Sequence, residues 1–184
     1  MLFLCYNTYM KKIYCLFLST LLVLSGCSSK KQALSLYEAY YQIISENTEY
    51  VEESSNYSLS YEVEKSDDGN YYYYIFLDSP TISMYDVVMM AIENDVSYSS
   101  NLKMVPSIGI FDGNYNLVPN QINKDKGYVK GLVISGESEE DTIHIKLMVE
   151  WKNKNRDKTS REFHNVELTE NGYSYVTTQV ESKS

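Results

Sequence analysis

The residues most able to do chemistry in this chain are two histidines in its C-terminal third, His144 and His164. Both fall in segments where apolar and polar residues alternate, which is the pattern of β-strands. If the two strands are neighbours, the imidazoles could begin a metal site together with a carboxylate such as Glu150 or Glu162. Histidines on strands are more simply explained as solvent-facing residues, so we predict no metal site.

No other group of residues has the spacing of a catalytic or cofactor site. The serines fall in no Gly-x-Ser-x-Gly motif, and no glycine-rich nucleotide-binding motif occurs. Asp67-Asp68-Gly69-Asn70 begins like a calcium loop but lacks the later carboxylates, so it predicts a turn. The remaining acidic residues are scattered, and the acidic run at 137–141 predicts a solvated loop. We therefore expect a protein that is not an enzyme and has no cofactor.

The first segment of the chain has the layout of a secretory signal peptide. Lys11 and Lys12 form a positive patch, and a mostly apolar stretch follows over residues 13–23. This stretch is about half the ~20 residues that a membrane-spanning helix needs, so a transmembrane anchor is not expected. No charged residue precedes Met10, and Met10-Lys11-Lys12 is a more natural start, so translation could begin there.

The signal segment ends in Leu24-Ser25-Gly26-Cys27, which resembles the lipobox of bacterial lipoproteins at all four positions. In that family the cysteine thiol receives a diacylglyceryl group, and signal peptidase II then cleaves before the cysteine. The resemblance implies that Leu24, Ser25 and Gly26 are recognised by the peptidase and that Cys27 carries the lipid. It also implies a signal peptide over residues 1–26 and a lipid anchor on the extracytoplasmic face of the cell membrane.

Composition limits what the exported part can do. Removing 26 of the 184 residues leaves 158, enough for one domain with a substantial core. Cys5 and Cys15 would be lost and Cys27 lipidated, so the domain has no disulfide and no cysteine nucleophile. With Lys11 and Lys12 gone, 25 acidic residues against 14 basic ones give a net charge of −11. This charge argues against nucleic-acid binding and against docking on anionic headgroups, so membrane contact should rest on the lipid.

The exported chain is predicted to begin with a polar tether, residues 27–31, and an amphipathic helix, residues 32–48. Apolar residues recur there at the spacing of one helical face. We expect this face to pack on the domain that follows; a partner-binding helix is the alternative. The residues of the face are Ala33, Leu36, Tyr37, Tyr40, Tyr41 and Ile44.

A β-hairpin is the clearest local prediction in the region that follows. From about residue 57 the period changes from 3.6 to 2, and Asp68-Gly69 is a strong turn signal. With a two-residue turn, Val63 would face Tyr74 and Tyr61 would face Phe76. The two apolar rows would then lie on the same face of the sheet.

Further strands are predicted along the chain to about residue 170. Met84–Ile92 fits a helix or a doubly buried strand, and we favour a strand. Another strand, residues 128–135, is predicted to be closed by Gly136. The cleanest alternation, residues 143–151, points Leu147 inward and Lys146 outward. The returning strand, residues 159–168, is predicted with Phe163 inward, a bulge near Asn165 and a polar tail after it, residues 171–184.

Together these segments predict a mainly β domain over residues 55–170. One helix is followed by about six or seven strands without βαβ alternation. The expected fold is an antiparallel immunoglobulin-like β-sandwich with one N-terminal amphipathic helix. The stretch from Ile110-Phe111-Asp112-Gly113 through Gly131-Leu132-Val133 to Leu147 resembles the immunoglobulin-like domains of many Gram-positive lipoproteins. Because the antibody disulfide is absent, this resemblance implies the sandwich architecture alone.

The expected function is that of a lipid-anchored envelope protein with a non-catalytic binding or interaction domain. Tyrosine is abundant, with 19 in the chain, and loops or an aromatic sheet face would supply recognition. The expected partners are the membrane, through the lipid, and an envelope protein or glycan. The alternatives are an accessory subunit of an envelope machine or a small solute-binding lipoprotein; a hydrolase is the least expected.

Overall fold

The computed structural model describes residues 30–98 and 104–176. Helix α1 occupies residues 30–46 of this part, and no helix within it is long and apolar enough to cross a membrane. The chain divides into two units between Glu38 and Ala39, inside α1, and the sheets belong to the second unit. The strands are β1 (Ser58–Lys65), β2 (Tyr71–Asp78), β3 (Met84–Glu93), β4 (Ser107–Ile108), β5 (Tyr115–Leu117), β6 (Leu132–Ser138), β7 (Ile143–Lys152), β8 (Thr159–Thr169) and β9 (Gly172–Tyr175).

The strands form two antiparallel sheets packed around one core. The first sheet has the order β1-β2-β6, and the second has the order β4-β3-β7-β8-β9, with β5 also pairing with β3. In chain order and pairing, β1, β2 and β6 correspond to strands A, B and E of an immunoglobulin-like sandwich. Strands β3, β7 and β8 correspond to its strands C, F and G. The predicted fold class, a mainly β immunoglobulin-like sandwich with an N-terminal helix, is therefore confirmed.

The register of the β1–β2 hairpin differs from the prediction by one residue on β2. The connection is a five-residue loop, Ser66 to Asn70, closed by a hydrogen bond from Ser66 N to Asn70 O of 2.8 Å. Val63 therefore pairs with Tyr73 and not with Tyr74. Because side chains alternate along a strand, this shift exchanges the two faces of β2. The inward row is Tyr71, Tyr73, Ile75 and Leu77, and the outward row is Tyr72, Tyr74 and Phe76.

Strand β3 is buried on both faces, which explains why its sequence also fits a helix. Met89 and Ala91 face the core between the sheets, and Met90 and Ile92 are buried on the opposite face. The favoured strand prediction is confirmed. The alternation is further broken by a bulge around Asp86, where φ is +49° and the pairing with β7 shifts.

Helix α1 is attached to the outer face of the second sheet through a buried charged group, Glu150. The Tyr40 hydroxyl donates to one oxygen of the Glu150 carboxylate, and Arg161 donates to the other from Nε at 2.9 Å and from Nη2. The guanidinium also lies 5.7 Å from the centre of the Tyr40 ring. Tyr41 donates to the Val96 carbonyl nearby. The part of the predicted helical face from Tyr40 onward thus packs on the sheet, as expected.

Three further predictions about the strands need correction or extension. Gly136 lies inside β6 and does not close it. Phe163 faces outward opposite Met148, because β8 pairs with β7 without the bulge predicted near Asn165. The segment predicted as a tail from residue 171 contains β9, whose four residues pair with the end of β8.

We predict that Leu147→Ala lowers the free energy of unfolding by about 2–5 kcal/mol, because Leu147 is fully buried between the sheets and truncation leaves a cavity. Lys146→Ala is the matched control. Lys146 lies on the outer face and forms an ion pair with an exposed Asp95, so its loss should cost about 1 kcal/mol or less. Denaturant unfolding of the purified chain measures both. Equal costs would contradict the register of β7.

Candidate functional site

The residues of the predicted lipobox, Leu24 to Cys27, lie outside the residues that the structure describes. The lipid attachment at Cys27 therefore stays a prediction from the sequence.

The two histidines lie on opposite faces of the second sheet. His144 is on the exposed row, where its Nδ1 is 3.7 Å from a carboxylate oxygen of Glu167. His164 is fully buried on the inner face, where its Nε2 is 2.9 Å from the Tyr57 hydroxyl. Burial lowers the pKa of His164, which favours the neutral imidazole. The expectation that both histidines face solvent is wrong for His164, which is a core residue.

The carboxylates considered as metal ligands are held by protein groups. Glu150 is bound by Tyr40 and Arg161, and Glu162 accepts a hydrogen bond of 2.8 Å from the Asn56 amide. Within residues 30–98 and 104–176, no group of three or more His, Cys, Asp or Glu side chains is arranged to hold a metal ion.

An aromatic row runs along the centre of the first sheet on its outer face. We call this surface, Tyr72, Tyr74 and Phe76 with their outward neighbours, the aromatic face. The three rings are partly exposed, and those of Tyr74 and Phe76 stack with centroids 6.4 Å apart and planes 25° apart. Helix α1 contacts the other sheet, through Glu150 and Arg161.

The neighbours of the aromatic row are acidic or small, apart from Val133 beside Phe76. Tyr72 lies between Glu64 and Glu137, and the Glu137 carboxylate raises the pKa of the Tyr72 hydroxyl. Tyr74 has Glu62 on one side and Ser135 on the other. No outward residue of β1, β2 or β6 is basic in their described registers. The face therefore combines flat amphipathic rings with hydrogen-bond acceptors and negative charge.

A cleft of about 490 Å³ opens at the edge of β6, next to the aromatic face. We call it the edge cleft. Its most unusual component is Tyr73, an inward residue of β2 whose phenol passes beneath β6 at Gly136. A Cβ at Gly136 would overlap the phenol oxygen, so only glycine leaves room for this crossing. The Tyr73 side chain is fully buried, and its hydroxyl lies beside the Glu93 carboxylate.

The electrostatics of the edge cleft centre on Glu93, at the end of β3. Burial raises the pKa of Glu93, and the carboxylates of Glu140 and Glu137 raise it further, while the hydroxyls of Ser138 and Tyr73 oppose the rise. Burial also raises the pKa of Tyr73, and the negative charge of Glu93 adds to it. Both groups are therefore less stable in their charged forms than they would be in water.

The remaining walls of the edge cleft are apolar on one side and polar on the other. Met104, Val105 and Pro106 precede β4 and form the apolar wall, and Met104 is 56% exposed. Ser135 and Glu137 of β6 form the polar wall and also belong to the aromatic face. The two surfaces are thus neighbours that share the edge of β6.

In comparisons with known proteins, no family model, no curated protein and no solved structure matches this chain.

Sequence reasoning anticipated an aromatic sheet face but assigned no residues to it. The predicted two-residue turn put Tyr74 and Phe76 on the same face as Val63 and Tyr61, and the five-residue loop puts them on the opposite, outer face. The edge cleft was missed entirely. Its only sequence signal is Gly136 within a run of β-forming residues, because an isolated glycine in a strand often marks a close approach by another group.

We predict that Gly136→Ala destabilises the chain by about 1–3 kcal/mol, because the added methyl group overpacks against the Tyr73 phenol. In a Tyr73→Ala background the same change should cost much less, so a double-mutant cycle should show coupling. Denaturant unfolding measures all four chains. Ser135→Ala, one residue away and exposed, is the control and should stay within about 0.5 kcal/mol. Additive costs for the two changes would contradict the crossing of Tyr73 at Gly136.

Proposed function

We propose that this protein is held by a lipid on Cys27 at the extracytoplasmic face of a membrane and that its β-sandwich is a non-catalytic binding module. The lipobox at residues 24–27 supports the anchor. The observation that carries the binding role is the aromatic row Tyr72, Tyr74 and Phe76 on the outer face of a rigid sheet.

The chemistry of the aromatic face narrows the class of partner. Tyrosine and phenylalanine rings provide large contact areas at low entropic cost, which is why such residues dominate protein-binding surfaces. Flat rings edged by carboxylates and hydroxyls also suit the apolar faces and hydroxyl groups of sugars. Negative charge from Glu62, Glu64 and Glu137 disfavours anionic polymers. An envelope protein or an uncharged envelope glycan is therefore the proposed partner.

We predict that Cys27→Ser leaves an uncut precursor without lipid, because the diacylglyceryl group is built on the thiol and cleavage follows lipidation. The measurement is incorporation of labelled fatty acid together with the size of the product. Cys15→Ser, which removes a thiol from the signal segment, is the matched control and should be lipidated and cut normally. Labelled product of mature size from Cys27→Ser would refute the anchor.

We predict that the double variant Tyr74→Thr/Phe76→Thr loses at least about tenfold in affinity for its envelope partner, since truncating a hot-spot aromatic residue at a binding surface costs about 2 kcal/mol or more. Threonine retains β propensity, and a thermal melt checks the fold. Retention of wild-type and variant chains is compared on two materials, solubilised envelope proteins and the insoluble cell-wall glycan.

The control for this experiment is Tyr173→Thr, which removes an exposed tyrosine from the other sheet. Retention that is lost in the double variant and kept in the control supports the aromatic face, and the material that retains the chain identifies the partner class. Equal retention of all three chains, or none on either material, contradicts the proposed site.

A further inference from the structure

We propose that the binding module recognises an uncharged linear glycan, whose sugar units lie along the aromatic row while one unit enters a cavity at the end of that row. The inference rests on the proposed function of the aromatic face, and it names the ligand class and a second part of the site. This cavity, which we call the end cavity, lies where β2 passes into the loop before β3. Its volume of about 550 Å³ is within the range of small-molecule sites.

The end cavity continues the line of the aromatic row. Side chains alternate along a strand, so Asp78 is the next outward residue of β2 after Phe76, and it lines the cavity. Lys130 lines the same cavity from the segment just before β6. The distance along the strand from Tyr72 to Asp78 is about 20 Å at about 3.3 Å per residue. A ligand that uses both the row and the cavity is therefore long and extended.

The charges beside the row favour a narrow ligand over a protein surface. The rings project from the central strand, and Glu62, Glu64 and Glu137 lie on the strands to either side, about 4.8 Å away. A protein that covered the whole face would remove these carboxylates from water, which is costly without cationic partners. Acidic residues are accordingly depleted at protein interfaces. A single sugar chain lying on the rings would leave the carboxylates hydrated at its two edges.

The backbone of the central strand argues against an extended peptide. Strand β2 pairs with β1 on one side and with β6 on the other. Peptides that bind to sheets as added strands use the unpaired backbone groups of an edge strand. The row therefore offers a ligand its rings and no free backbone groups, which suits the C–H faces of sugar rings.

The polar side chains of the end cavity match the hydroxyl groups of a sugar. A hydroxyl both donates and accepts hydrogen bonds. Asp78 provides acceptors and Lys130 provides donors, and together they give the lining no net charge. The amides of Asn120 and Gln121 provide both kinds of group. Within residues 30–98 and 104–176, these four side chains form no hydrogen bond or ion pair with another described residue, so their polar atoms are available to a ligand.

An exposed apolar side chain and the backbone of the cavity wall also indicate a ligand site. Ile122 is 68% exposed and lines the cavity, where the C–H face of a sugar ring would cover it. Ser79 and Asn120 have φ values of +48° and +56°, a region that residues other than glycine rarely adopt. Strained backbone of this kind is concentrated at functional sites, and both residues line the cavity.

The test is calorimetric titration of the full chain, in mild detergent, with chitohexaose and with cellohexaose. Both are uncharged, linear, β-1,4-linked hexamers, and they differ in their acetamido groups. The corresponding dimers are measured as competitors of each hexamer. We expect saturable binding of at least one hexamer, with its dimer at least about tenfold weaker, because a dimer fills the cavity without reaching along the row. The tighter hexamer shows whether acetamido groups are recognised.

A cavity variant connects the binding to the end cavity. Asn120→Gly/Lys130→Met removes two hydrogen-bonding side chains, and glycine suits the positive φ at position 120. This variant should lose at least about tenfold in affinity for both the hexamer and the dimer. Asn171→Gly/Lys158→Met is the matched control. It makes the same two changes at exposed positions that do not line the cavity, and it should bind normally.

The double variant Tyr74→Thr/Phe76→Thr tests the row. It should weaken binding of the hexamer to about the level of the dimer and leave the dimer unaffected, because neither residue lines the cavity. A thermal melt of each variant checks that the fold is retained.

The inference is overturned if neither hexamer binds, or if the cavity variant and its matched control bind the hexamer equally. Hexamer binding that needs the rings but not the cavity removes the end cavity and leaves the aromatic face. Hexamer binding that needs the cavity but not the rings contradicts the proposed function of the aromatic face. Retention of an envelope protein through the rings, with no hexamer bound, keeps the proposed function and removes the glycan.

Discussion

The five-residue loop from Ser66 to Asn70 sets the register on which the rest of this domain depends. It places Lys65 opposite Tyr71, so every odd-numbered residue of β2 from Tyr71 to Leu77 points into the core. A slip by one residue would exchange the two faces, and the core would lose Ile75 and Leu77. The same register makes Tyr73 the residue that meets Gly136, and it leaves the aromatic row outside. The core, the edge cleft and the aromatic face therefore all depend on the register between β1 and β2.

The two sheets use their outer faces differently. On the second sheet, Met90, Met148 and Glu150 are buried on the outer face, and Tyr40 and Arg161 complete the hydrogen bonding of the Glu150 carboxylate. A buried carboxylate without partners would be strongly destabilising, so the pair with Arg161 makes this arrangement possible. On the first sheet, the outward residues of β1 are exposed serines and glutamates beside the aromatic row. The outer face of the second sheet therefore packs against helix α1, whereas the outer face of the first sheet exposes polar and aromatic groups to solvent.

Polar groups are buried between the sheets near both margins of the sandwich, and they contact different partners. His164 is fully buried, and its Nε2 meets the Tyr57 hydroxyl at 2.9 Å. This contact holds one side of the imidazole in the core, and burial lowers the pKa of His164, which favours its neutral form. At the other margin, the Tyr73 phenol is fully buried beneath Gly136 and lies beside Glu93, a carboxylate whose pKa burial raises.

The pattern of apolar residues is enough to set the class of fold, because the change from helical spacing to alternation depends only on which residues are apolar. It also determined the strand with the cleanest alternation, where Leu147 is buried and Lys146 lies on the outer face. The faces of β2 depend on its pairing with β1, because Tyr71 to Leu77 is apolar or aromatic at nearly every position and contains no alternation to fix its register. Tertiary packing also decides where His164 lies. Its polar side chain predicts exposure to solvent, whereas the contact with the Tyr57 hydroxyl holds it in the core. Gly136 and Glu93 came together for the same reason: they are distant in sequence, and only the packing of two sheets brings their strands to one cleft.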